Sequence, residues 1–264
     1  MGVAIPVGFG AVVAIATITI AELIAAKAGW RSGILRHLFT GLLATIAIYV
    51  LVPLLAPPVM EHFALMETKK ELLESRNAWN RMNGYALEEA SLLGKEVIDA
   101  VAGRSRSGDP KSGPKVEPVP LLTDDEILER ASFFQTILEK STDEVCASFL
   151  RGNTTKEVLR EGFSHLDEES LRRFAQLVVV ARTRELANAR ARETSEEERD
   201  RAVNAFLRLI PRDQRKLAAR TLEWGRKEGV SDADLCAMGK RLYAVTREID
   251  RHSGALLALA LSGF

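Results

Sequence analysis

Two uncharged apolar runs near the start of the chain limit its fold more than any other feature. Residues 3–21 read VAIPVGFGAVVAIATITIA and residues 38–60 read LFTGLLATIAIYVLVPLLAPPVM, and neither holds a charged side chain. A helix needs about 20 apolar residues to cross a bilayer core, so each run is long enough to span. The pattern predicts a two-helix transmembrane hairpin over residues 1–60, with spans at about 3–24 and 38–58. A cleaved signal peptide is the competing reading of the first run. Ala26-Lys27-Ala28 has the form of a cleavage site, but no basic residue precedes the apolar stretch. Pro6 stands where N-myristoylation requires Ser or Thr.

The connector Lys27–His37 carries Lys27, Arg31 and Arg36 and no acid. The positive-inside rule therefore places it in the cytoplasm and both termini on the far side, with Lys69 and Lys70 counting the other way. Gly10-x-x-x-Ala14 and Gly41-x-x-x-Thr45 offer small residues for close helix contact within lipid. Glu22 is the one acid of the first 60 residues and lies near Lys27. An interfacial carboxylate paired with that lysine explains it, since a proton or ion path needs more than one such group. Pro57-Pro58 is expected to end or bend the second span, because proline lacks the N–H and crowds the preceding turn.

Beyond residue 60 the chain is rich in charge and therefore water-facing. Lys and Arg together number 36, as do Asp and Glu, so the net charge is zero and nothing points to nucleic acid. Residues 61–102 read as juxtamembrane helices. Leu65, Leu72, Trp79, Ala86, Leu93 and Ala100 recur every seven residues, and Asn83-Gly84 is the expected break. These helices either pack on the following domain or serve as a stalk for self-association, since polar Lys69, Arg76 and Asn83 spoil a coiled-coil seam. Residues 103–120, GRSRSGDPKSGPKVEPVP, form a flexible linker of Gly, Ser and Pro with no apolar period.

From residue 121 to 264 the expected fold is all-α: an irregular soluble bundle of six to eight helices with legible starts. Thr123-x-x-Glu126, Thr154-x-x-Glu157 and Ser195-x-x-Glu198 each read as a capping box. Asp143, Asp167, Asp213 and Asp232 mark further starts, where an acid suits the positive end of a helix. Gly152, Gly229 and Gly254 read as stops, and Pro211 opens one helix or closes another. The longest helix of the domain is expected from about Glu168 to Arg192, with Leu171, Phe174, Leu177, Val178, Ala181 and Leu186 as its apolar face. The tail ALLALALSGF is too short to span a bilayer, so it either packs into the core or touches a partner or membrane.

Chemistry leaves few marks. Cys146 and Cys236 belong to no zinc spacing; they either form one disulfide in an oxidising compartment or sit buried as small apolar residues. No HExxH, GxSxG, P-loop or GxGxxG occurs. His165, flanked by Ser164 and Asp167, comes closest to a site, yet triad members meet through the fold and not as chain neighbours. Acid pairs such as Asp124/Asp125 and Glu196/Glu197/Glu198 fit helix starts. The Arg-rich stretch from Arg182 to Arg201 alternates in sign, as a solvated, ion-paired helix surface does. No catalytic, cofactor-binding or metal-binding residue is assigned, and no cofactor is expected.

The many Ala, Arg, Leu and Val residues suggest a bacterial source. The expectation is a non-enzymatic protein of the bacterial inner membrane with its soluble domain in the periplasm. Its partners are the lipid bilayer and a protein bound at the cell envelope, as for an assembly factor, scaffold or immunity protein, with homo-oligomerisation possible. The alternative is a membrane-acting effector, in which the helical domain senses a signal in the cytoplasm and the hairpin oligomerises to perturb the bilayer. A nonspecific protease is expected to cut first within residues 103–120, because cleavage concentrates in exposed, poorly packed segments. A resistant fragment spanning that segment, with first cuts elsewhere, would contradict the assigned linker.

Overall fold

The computed structural model describes residues 52–102, 121–191, 194–222 and 229–262, together with the helical residues 18–20, 24, 27 and 42. Most of the expected hairpin, Glu22 and the linker at 103–120 lie outside the described residues. Among the described residues the regular structure is all α-helix, and no helix is long and apolar enough to cross a membrane. The chain falls into two units, Met1–Thr68 and Lys69–Phe264.

Helix α1 (Val52–Leu73) begins in the first unit. Pro57 and Pro58 were expected to end or bend the second span near residue 58. They lie inside α1, which runs on to Leu73. Each proline removes one N–H from the ladder, yet the helix continues through both. Phe63 and Met66 are exposed on this helix.

The second unit contains α2 (Ala78–Leu93), α3 (Lys95–Val101), α4 (Asp124–Lys140), α5 (Asp143–Leu150) and α6 (Lys156–Phe163). It continues with α7 (Glu168–Leu186), α8 (Glu196–Leu209), α9 (Arg215–Leu222), α10 (Asp232–Val245) and α11 (Arg251–Ser262). Among the described residues, the eight helices from α4 to α11 agree with the expected six to eight. Helix α4 lies at the centre and packs on α5, α6, α7, α10 and α11. Helices α2 and α3 pack on α7, so this stretch belongs with the domain.

The break before α2 falls at Glu74–Asn77, not at Asn83-Gly84. Asn77 caps α2 by accepting the Trp79 N–H at 3.0 Å, while Asn83 lies mid-helix and donates to the Trp79 carbonyl at 2.9 Å. Gly84 is buried where a Cβ would stand 3.0 Å from both the backbone nitrogen and Cδ2 of Leu73. It marks a close approach of two chain segments, which is the other use of glycine in a helix. The sevenfold repeat is cut by the same turn: Ala86 is buried, while Leu93 is 54% exposed.

Capping sets most helix starts. Thr123 and Ser195 form complete boxes with Glu126 and Glu198. At α6 the expected box is displaced by one residue. Thr155 accepts the Val158 N–H at 3.3 Å, so the third helical position is a valine and Glu157 cannot close a box. Thr142, Asp167 and Ser231 cap α5, α7 and α10. Helix α7 ends at Leu186, earlier than Arg192, because Asn188 turns to positive φ (52°) and its N–H meets the Glu185 carbonyl. Leu186 is therefore exposed, outside the apolar face formed by Leu171, Phe174, Leu177 and Ala181.

A chain of aromatic rings runs through the unit. Trp79 of α2 meets Phe163 of α6 edge-on at 4.8 Å between centroids, and Phe163 meets Phe174 of α7 at 5.2 Å. Phe174 meets Phe134 of α4 at 5.8 Å, and Phe134 reaches Phe149 of α5 at 6.3 Å and Tyr243 of α10 at 6.2 Å. Arg130 is buried with its guanidinium 4.6 Å over the Phe134 ring, a cation–π contact. Beside it, burial holds the Tyr243 hydroxyl up at about 12.

The two cysteines are bonded. Cys146 of α5 and Cys236 of α10 are fully buried, form a disulfide with Cα atoms 5.5 Å apart, and close a loop of 90 residues. The apolar tail lies in the core, where Ala255, Leu256, Leu257, Ala258 and Leu261 of α11 are buried against α4 and α8. Gly254 does not stop a helix but sits in the first turn of α11, where a Cβ would fall on the carbonyl oxygen of Thr246. A backbone oxygen cannot step aside as a side chain can, so Gly254→Ala is expected to destabilise the domain by about 3 kcal/mol. Thermal denaturation of the full-length variant checks this; an unchanged melting temperature would refute the packing at that position.

Candidate functional site

Ser164 and Asp167 are employed in the helical framework, whereas His165 Nε2 is buried with no hydrogen-bond partner among the described residues. Ser164 donates its hydroxyl to the Glu161 carbonyl at 2.6 Å, and Asp167 accepts the Ser170 N–H at 2.8 Å. His165 lies between them, half-buried, with its carbonyl taking a hydrogen bond from Lys140. The three side chains are not brought into a triad. Among the described residues, no group of three or more His, Cys, Asp or Glu is arranged to hold a metal ion.

The starts of three helices converge elsewhere. His252 of α11 has Nδ1 3.1 Å from Asp124 of α4 and Nε2 3.7 Å from Glu198 of α8. Next to it, Arg251 pairs with Asp125. The backbone N–H of Ser195, then its hydroxyl, hold the Glu198 carboxyl below the usual carboxylate range. His252 thus joins the starts of α4, α8 and α11. This junction could not be read from sequence, because Asp124 and His252 are 128 residues apart.

Two open clefts flank the framework. One, about 420 Å³, lies between α4 and the turn joining α10 to α11, with Leu128 and Ile249 on its apolar side and Glu129, Arg247 and Arg251 around it. The other, about 400 Å³, lies between the end of α2 and the second half of α7, with Leu93, Val179 and Val180 flanked by Glu89, Arg173 and Arg184. The cations of the second cleft are held in place. Arg173 makes two bonds to Glu129 at 2.6 and 3.0 Å, and Arg184 makes two to Glu126 at 2.5 and 3.0 Å while also donating to the Leu121 carbonyl. Leu92, 78% exposed, adjoins Leu93 at the end of α2.

The expected ion-paired helix surface from Arg182 to Arg201 divides at the Asn188 turn. Its first half is paired, through Arg182–Glu185 and Arg184–Glu126. Its second half opens α8. No protein-family model, curated protein or solved structure matches the chain.

Glu126 combines two roles, capping α4 and holding Arg184. Burial acts to raise its carboxyl, but the bonds from Arg184 and Thr123 outweigh it, so the folded value is lowered. A carboxylate lowered on folding adds stability above its unfolded value near pH ~4, and that stability is lost as pH falls through the folded value. Glu126→Gln is expected to cost about 1–2 kcal/mol at neutral pH. In denaturant titrations the gap from the parent chain should close as pH falls through the lowered folded value, where the parent carboxyl becomes protonated too. A gap that stays constant would refute the charged role.

Proposed function

We propose that the chain is a non-enzymatic, membrane-anchored protein whose helical domain binds a protein partner on the oxidising side of the bacterial inner membrane. The observation that carries the reading is the fully buried Cys146–Cys236 disulfide. Such bonds persist outside the cytoplasm and are rare within it. In the chain-entropy picture, closing a loop of this length stabilises the fold by roughly 4–5 kcal/mol, so the domain depends on the compartment that allows it.

Anchoring draws support from the two uncharged runs and from side chains inside them. Ile18, Ile20, Ile24 and Leu42 belong to helix yet are 39–59% exposed, as aliphatic side chains are when lipid supplies their burial. Partner binding draws support from the two clefts and from the exposed Leu92 and Leu93. The disulfide weighs against a domain that senses a signal in the cytoplasm.

Three measurements on one strain test this reading. The full chain should remain in the membrane pellet after a carbonate wash. Phosphatase fused at residue 264 should be active. A maleimide-polyethylene glycol reagent should add to the denatured chain only after reduction. Two reactive thiols before reduction, together with an inactive phosphatase, would move the domain to the cytoplasm and overturn the proposal; a chain that washes off would remove the anchor.

A further inference from the structure

Zero net charge hides a strongly basic stretch. Residues 199–222 carry seven cations (Arg199, Arg201, Arg208, Arg212, Arg215, Lys216, Arg220) against two anions, Asp200 and Asp213, a surplus of five. Elsewhere in the domain, arginines such as Arg81, Arg151, Arg173 and Arg184 are matched by carboxylates from distant elements. Arg201, Arg208, Arg212 and Lys216 make no ion pair among the described residues, and all four are exposed.

Their placement gives them one location. Arg201 and Arg208 are seven residues apart on α8 and share a face, opposite the buried Ala202 and Phe206. The helix stops at Leu209, Pro211 follows, and a turn carries the chain into α9 at Arg215. The corner is fixed from within, because Ile210 is buried and its carbonyl accepts from Arg215 Nε at 3.1 Å. Ile210 is buried, whereas Leu209, 41% exposed at the last turn of α8, and the exposed Pro211 are chain neighbours of Arg208 and Arg212.

We propose that this α8–α9 corner is a docking surface for an anionic lipid bilayer: Arg208, Arg212 and Lys216 meet the headgroup phosphates, and Leu209 enters the interface between them. Exposed apolar side chains set among unpaired cations match the two attractions of a membrane surface, burial and charge. An acidic protein face would match the cations but not the outward leucine. The inference rests on the anchoring reading for one point, that a bilayer is always within reach of the domain.

The full chain carries no free thiol besides the bonded pair, so Leu209→Cys supplies a single site for an environment-sensitive dye. The labelled chain is reconstituted in lipid nanodiscs of phosphatidylcholine alone or with phosphatidylglycerol added. The expected result is a blue shift of dye emission on the anionic discs only. Concentrated salt should reverse the shift, and Arg208→Glu with Arg212→Glu and Lys216→Glu should abolish it. Salt leaves the covalent chain untouched, so its effect stands even where the triple variant folds poorly. Equal emission on both discs, or a shift that salt and charge reversal leave intact, would overturn the proposal. Lack of response on anionic discs would leave the corner to an acidic protein partner. Co-elution of the chain with the discs reports the anchor separately. If the chain stays outside them, anchoring has failed while emission on added vesicles still reads the corner.

Discussion

The domain depends on the ring of Phe134. It sits on the central helix and touches Phe149, Phe174 and Tyr243 while the buried Arg130 guanidinium lies over its face. Through Phe174 and Phe163 the contacts extend to Trp79, so six helices drawn from residues 78–245 meet along one line of rings. Edge-to-face pairs add about 0.5–1.5 kcal/mol each beyond the area they bury, and they also fix relative orientation. Short helices of eight residues, such as α5 and α6, have little stability alone. Their positions come from Phe149 and Phe163.

That dependence explains what the sequence disclosed and what it withheld. Helix starts are local events, and a Thr or Ser three residues ahead of Glu announces the box at Thr123 and Ser195 before any fold is known. At Thr154-Thr155 two adjacent hydroxyls were on offer, and it is Thr155 that takes the Val158 N–H. Glycine was the ambiguous letter. Gly152 does follow a helix with positive φ, whereas Gly84 and Gly254 lie inside helices because another segment passes too close for a Cβ. A stop and a crossing look alike in one dimension. The His252 junction and the basic corner were hidden for a related reason: the first needs three distant helix ends, and the second needs to know which cations find partners.

Helices α2 and α3 show how charge helps assign a segment to its neighbour. Arg81 and Tyr85 both bond Glu168, and Arg172 lies 4.0 Å over the Tyr85 ring while reaching Glu88. Exposed pairs of this kind add little stability individually. They choose between docking sites, while Met82, Ala86 and Ala90 supply the burial. Of the sevenfold apolar recurrence, Ala86 is buried while Leu93 stays exposed.

The buried tail helix has a consequence for the order of events in the cell. Helix α4 finds its contacts with α11 across more than a hundred residues, and Cys146 waits for Cys236. During synthesis, α4 emerges long before α11 does. The central helix is therefore made with part of its apolar face uncovered, and closure waits for residues 251–262. Non-local closure of this kind is slow and leaves surface exposed to aggregation. A chain built this way keeps both the cover of α4 and the partner of Cys146 in its last third, so neither can form until nearly all of it has been made.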